Sequence, residues 1–145
     1  MDGLHGAILR VKLRHLGAWN ERRREIAARY RDLLADADVF PVKVPADSEP
    51  VYHQFVIRTA GRDALRRGLE ANRIQTGIHY PIPLHRQPAF APALEGSAFD
   101  GLWETDAAAA EILSLPMYPE LSDRDVVRVT ASIRDCLEKL AVEVA

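Results

Sequence analysis

Residues 51–80 read VYHQFVIRTAGRDALRRGLEANRIQTGIHY, and two periods follow one another within them. Val51, His53, Phe55 and Ile57 alternate with Tyr52, Gln54, Val56 and Arg58, the period-2 pattern of a strand over 51–58. Gly61 then opens RDALRRGLEANR, where Leu65 and Leu69 mark one helical face and Asp63 suits the positive N-terminal end. The spacing predicts a helix over 62–71, stopped by Asn72 in the left-handed conformation. A second strand is expected over 74–79, running into the proline-rich HYPIPLH.

Working outward, TDAAAAEIL reads as a short helix, SLPM at 114–117 as a brief strand, and residues 123–142 as a final helix. That helix has Ser122 as N-cap and Asp123 and Asp125 in its first turn. Val126, Val129, Ile133, Leu137 and Leu140 share one of its faces. Upstream, Leu4, Ile8, Val11, Ile26, Tyr30 and Leu33 predict a long helix over 2–35, bent at Gly17. About 35 residues of helix would reach about 50 Å, more than a compact domain of this length covers. An apolar stripe around Leu4, Ile8 and Val11 is therefore expected to meet something outside the domain. The class is α+β: a small, mainly antiparallel sheet packed on helices and preceded by a long N-terminal helix, in one domain spanning 1–145.

The 145 residues are 48% hydrophobic and 28% charged with a formal charge of −2, as in a soluble globular protein with no electrostatic draw to nucleic acid or anionic membrane. The basic run Arg22, Arg23, Arg24 is flanked by Glu21 and Glu25 and reads as a solvated helix face. No apolar run approaches the roughly 20 residues that span a bilayer. The N-terminus lacks the basic-then-apolar order of a signal peptide, so a cytoplasmic location is expected. Cys136, the single cysteine, lies on the final helix and reads as an inert buried thiol.

Chemistry concentrates in HYPIPLH. Pro81 and Pro83 hold the chain extended, displaying His79, Tyr80 and His85 at defined positions. Imidazoles so placed suit contact with phosphate or sugar hydroxyls, general-base work, or metal binding with His53 as third ligand. A proline-stiffened surface loop whose histidines bond only backbone fits the same residues. No metal site is expected, because no Cys or carboxylate joins at ligand spacing. No Gly-x-Ser-x-Gly elbow is present and Cys136 has no activating neighbour, so no catalytic residue is assigned.

LRVKLRHLGAWNERRREIAARYRDLL, TGIHYPIPLHRQPAF and EILSLPMYPELSDRDVVRV, in this order along the chain, resemble the C-terminal part of the DegT/DnrJ/StrS family of pyridoxal-phosphate-dependent sugar aminotransferases. The likeness departs in APALEGSAFDGLWETD, where the family more often has a Gly-Asp-Phe-Pro-like run. The resemblance implies the small domain of a fold-type-I aminotransferase, completed at a dimer interface, with pyridoxal phosphate held by a large N-terminal domain outside this sequence. It implies substrate-side roles for His79, Tyr80, His85 and Arg86 toward a nucleotide-linked keto-sugar, with an amino-acid donor such as glutamate. For Arg86, a solubilising surface arginine is the competing reading. Lys12, Lys43 and Lys139 do not sit in the family's cofactor-lysine context, so no cofactor is expected on this chain alone. Met1 matches an internal methionine of the family, and the chain reads as beginning in the middle of an enzyme. A non-catalytic ligand-binding or regulatory module, and an interaction subunit for a separately encoded cofactor domain, are the alternative readings.

Overall fold

A computed structural model describes residues 2–90 and 101–144. Residues 91–100, which hold most of the stretch departing from the family pattern, lie outside the described residues, as does Met1. In chain order the elements are α1 (Gly3–Leu13), α2 (Leu16–Leu33), β1 (Phe40–Pro41), β2 (Phe55–Arg58), α3 (Arg62–Ala71), a 3-10 turn (Leu84–Arg86), α4 (Trp103–Glu111), β3 (Ile112–Leu115) and α5 (Asp123–Val144). The strands form one antiparallel sheet in the order β1-β2-β3, so the α+β class holds.

The sheet's inner face is set by alternation. Phe55 and Ile57 of β2 pair with Leu115 and Leu113 of β3, and all four are buried. Ile26, Ala27 and Tyr30 of α2, Leu65 and Leu69 of α3, and Val126, Val129 and Ile133 of α5 join them in one core. Both amphipathic helices thus cover the sheet as the 3.6-residue periodicity dictates. Tyr30 stacks on Phe55 with ring centroids 5.0 Å apart, and its hydroxyl donates to the Pro116 carbonyl at 3.0 Å.

Several boundaries differ from the sequence reading. The long N-terminal helix is two helices, and the break falls at Arg14–His15 rather than at Gly17, which lies inside α2. There the Arg14 and His15 amides bond three residues back, to Val11 and Lys12, which tightens and ends the α-helical ladder. The expected strand 51–58 is regular only from Phe55, because Tyr52 takes a left-handed φ of 48° and turns the chain. The expected strand 74–79 contributes one bridge, Gly77 to Ser114, between the stop of α3 and Pro81. The strand placed at 114–117 runs over 112–115, because Pro116 has no amide with which to extend the ladder. Phe40–Pro41 forms an edge strand, a position where proline is tolerated.

Helix α3 spans 62–71 as expected, but its left-handed stop falls one residue later than read. Arg73, not Asn72, is left-handed, with φ 58°. The Arg73 amide bonds the Glu70 carbonyl at 2.9 Å and the Ile74 amide bonds the Leu69 carbonyl at 2.9 Å, a Schellman stop that tucks Ile74 into the core beside Leu69. Ser122 caps α5 as predicted: the Asp125 amide donates to its Oγ at 3.1 Å, and the hydroxyl donates to the Asp125 carboxylate at 2.6 Å.

Candidate functional site

The face of the sheet turned away from the core carries Val56 and Arg58 of β2 and Ser114 of β3. Here the chain at Gly77 runs antiparallel to β3. Gly77 and Ser114 exchange both backbone hydrogen bonds, at 3.1 and 2.7 Å. Ile78 packs against the core, and His79 falls on the outer side. The His79 Nδ1 lies 2.9 Å from Ser114 Oγ. His79 also lines a cavity of 560 Å³, whose wall includes Arg31, Val42, Tyr52, His53 and Val56. Arg31 donates to the Tyr52 hydroxyl at 2.6 Å and lies over the Tyr52 ring, closing one side of this cavity.

Tyr80 meets His79 edge to face with ring centroids 5.7 Å apart, and is 72% exposed. With Ile82, Pro83, Leu84 and Gln87 it lines a second, apolar hollow of 430 Å³ against Thr105, Ala108, Ala109 and Ile112. The proline-stiffened segment is therefore propped along α4 and the start of β3, giving the loop a fixed floor.

The floor is clasped by Asp106 of α4. Arg86 reaches it with two nitrogens, Nη2 at 2.8 Å from Oδ2 and Nε at 3.3 Å from Oδ1. His85 Nε2 comes within 3.0 Å of Oδ1, at ion-pair reach but not aligned for a hydrogen bond. The Arg86 hydrogen bonds hold the Asp106 carboxyl below its ordinary range, and the His85 imidazole acts in the same direction. The structure thus places His79 with Tyr80 on an open face and His85 with Arg86 on a clasp. His53 joins His79 at one cavity, whereas His85 does not line it. Among the described residues no three His, Cys, Asp or Glu side chains group to hold a metal ion.

Sequence reasoning overlooked Ser114, Gly77 and Asp106. The signal for Ser114 was available as a lone hydroxyl inside the apolar run ILSL, opposite in phase to Leu113 and Leu115. Asp106 carried none, because its partners lie 20 residues away across a loop.

None of the three lysines lines the His79 or Tyr80 cavity. Lys12 sits over the Trp19 ring at 5.9 Å, beside the α1–α2 break. Lys43 lies between Val42 and Val44, which line the His79 cavity, but itself lines a separate hollow with Arg58 and Glu111. Lys139 lies with Asp135 and Glu138 on α5. The cavities lined by His79 and Tyr80 contain no lysine. Pyridoxal phosphate requires a lysine beside phosphate-holding donors, and the described residues do not assemble that set, so no step through the cofactor is assigned to them.

Residues 1–134 match the DegT/DnrJ/EryC1/StrS aminotransferase family. The chain is 38% identical over 141 residues to the dTDP-3-amino-3,4,6-trideoxy-alpha-D-glucose transaminase of Streptomyces venezuelae, covering 97% of itself and 37% of that protein. A second relative, the UDP-N-acetyl-3-dehydro-alpha-D-glucosamine 3-aminotransferase of Acidithiobacillus ferrooxidans, is 36% identical, with 94% of this chain and 36% of that protein covered. The crystal structure of an aminotransferase of the family from Brucella abortus superposes with a TM-score of 0.85 at 34% identity, over 94% of this chain and 36% of that one. The chain thus spans just over a third of the length of these relatives and matches their C-terminal part. With its sheet, the His79 face and the first half of α5 falling inside the matched residues, the chain belongs to the DegT/DnrJ/EryC1/StrS aminotransferase family.

Proposed function

We propose that this chain is the substrate-side, C-terminal portion of a pyridoxal-phosphate-dependent aminotransferase that moves an amino group, from a donor such as glutamate, onto a nucleotide-linked keto-sugar. The cofactor and its lysine belong to an N-terminal portion, and two copies complete the active sites. The enzyme so formed works in the cytoplasm, in amino-sugar synthesis of the kind that feeds cell-envelope polysaccharide. His79 and Tyr80 make the direct contacts to the sugar nucleotide. His85 and Arg86, clasped to Asp106, complete the substrate-side wall.

The observation that carries this reading is an exposed His79–Tyr80 pair anchored beside a 560 Å³ cavity, in a chain whose relatives are named as transaminases of dTDP- and UDP-linked sugars. Hydrogen-bond donors on a rigid floor suit an oxygen-rich ligand, and no group on this face is placed to take the lysine's part.

Grafting this chain in place of the matched C-terminal part of the Streptomyces venezuelae relative tests the reading. The graft is expected to bind pyridoxal phosphate and to transaminate a nucleotide keto-sugar. A folded graft that shows the cofactor's absorbance but no turnover with any nucleotide keto-sugar refutes the reading. The isolated chain, titrated with pyridoxal phosphate, is expected to show no saturable visible absorbance. A stoichiometric signal abolished by replacing Lys12, Lys43 or Lys139 would mean that the chain holds its own cofactor.

A further inference from the structure

The His79 ring is held by two residues that neither its own sequence neighbourhood nor the family reading singles out. Successive residues of extended chain alternate in direction, so positions 77 and 79 share one side. Gly77 and Ser114 form a hydrogen-bonded antiparallel pair, and residues paired in this way place their side chains on a common face. Gly77, His79 and Ser114 therefore converge on one patch. A Cβ added at Gly77 would stand 2.5 Å from His79 Cε1, 3.2 Å from Nδ1 and 3.3 Å from Nε2. The imidazole occupies the space that any side chain at position 77 would need, and reaches across it to Ser114 Oγ at 2.9 Å.

The chemistry of Ser114 then sets the ring's proton. Ser114 is 6% exposed, and His79 Nδ1 is the partner of its hydroxyl; the described residues offer it no other. If Oγ only accepted from Nδ1–H, its own O–H would be buried without an acceptor, a desolvation cost that donation to Nδ1 removes. The hydroxyl therefore donates to Nδ1, and the neutral ring carries its proton on Nε2. Nε2 makes no hydrogen bond to the described residues.

We propose that Ser114 and Gly77 are positioning residues that lock the His79 imidazole in one orientation and one tautomer, so that Nε2–H is a fixed donor to an oxygen of the bound sugar nucleotide. The donor role rests on the substrate-side reading of His79; the lock itself does not. A preset donor spares the rotamer freedom that a free histidine would lose on binding. Gly77 provides the space and Ser114 the anchor.

The lock is read by NMR on the chain itself, at mildly alkaline pH where imidazole is neutral. In the unmodified chain, long-range proton–nitrogen spectra should show His79 protonated on Nε2 alone. A nuclear Overhauser contact should join His79 Hε1 to the Gly77 α-protons. Ser114→Ala frees the ring, and Gly77→Ala displaces it while leaving the serine in place. Ser114→Ala should abolish that contact, and Gly77→Ala should shift the His79 ring resonances, while the amide shifts of Leu113 and Leu115 report an intact strand. Survival of the contact in Ser114→Ala, or a proton on Nδ1 in the unmodified chain, overturns the lock.

The donor role is read in the graft, where Ser114→Ala should raise the KM for the sugar nucleotide roughly 3- to 10-fold, the value of one neutral hydrogen bond, with the cofactor absorbance unchanged. If His79→Ala raises KM and Ser114→Ala does not, the positioning role fails and the substrate-side reading stands. If neither raises it, the donor role fails together with that reading.

Discussion

At the scale of single residues, one close contact between α3 and α5 is a meeting of two small groups. Gly68 of α3 faces Cys136 of α5, and a Cβ at Gly68 would stand 2.6 Å from Sγ. Alanine is the better helix former by about 1 kcal/mol, but overpacking a close contact costs about 1–3 kcal/mol. Gly68→Ala should therefore lower the denaturant midpoint, and Cys136→Ala in the same chain should restore it. A Gly68→Ala chain as stable as the parent contradicts this packing. Burial pushes the Cys136 thiol up from its ordinary range, consistent with the inert role expected of it. Burial likewise pushes up the Tyr30 phenol, which keeps its proton for the Pro116 carbonyl.

At the scale of elements, the clasp between the 3-10 turn and α4 is a feature open to pH. The Asp106 carboxyl is held low first by its Arg86 hydrogen bonds. A carboxyl whose folded pKa is depressed adds stability above its unfolded value, near 3.9, and loses that contribution as pH falls through the folded value. The loop should stay docked through neutral pH and loosen only in acid. Asp106→Asn should reproduce the loosening at neutral pH, as faster amide exchange over residues 84–87 with little change in the global unfolding midpoint. Unchanged exchange in that variant would show that the apolar hollow around Leu84 alone holds the loop.

Elements with a long, clean apolar period were legible from the sequence. Leu65 and Leu69 announced α3, and Val126, Val129 and Ile133 announced α5, because each helix has one partner face. Short strands were not, because their limits depend on events outside the period: a left-handed Tyr52, a proline at 116, and an edge pairing at Phe40–Pro41. The break at Arg14–His15 was hidden because the apolar spacing continues across it while the backbone does not. The candidate site was half legible. His79, Tyr80, His85 and Arg86 stand in one conspicuous segment, whereas Ser114 and Asp106 are joined to it only by tertiary contacts.

At the scale of the molecule, two surfaces bear on how the chain is used. Two arginines of the basic run of α2 are paired with carboxylates, Arg22 with Glu25 and Asp123 and Arg24 with Glu21 and Glu49, while Arg23 donates to the neutral Asn20 Oδ1. Helix α1, by contrast, buries none of its residues, and Leu4, Ile8, Val11 and Leu13 are each at least half exposed. An apolar helix left bare suits a chain that spans 37% of its Streptomyces venezuelae relative. No helix among the described residues is long and apolar enough to cross a membrane.

Whether the His79 face meets the sugar nucleotide rather than the cofactor is read most directly by steady-state kinetics of His79→Ala in the grafted enzyme. The expected result is a KM for the sugar nucleotide raised about tenfold, the order of one lost hydrogen bond, with the KM for the amino donor and the cofactor absorbance held. A variant with an unchanged sugar-nucleotide KM, or one that loses the cofactor signal instead, contradicts the assignment.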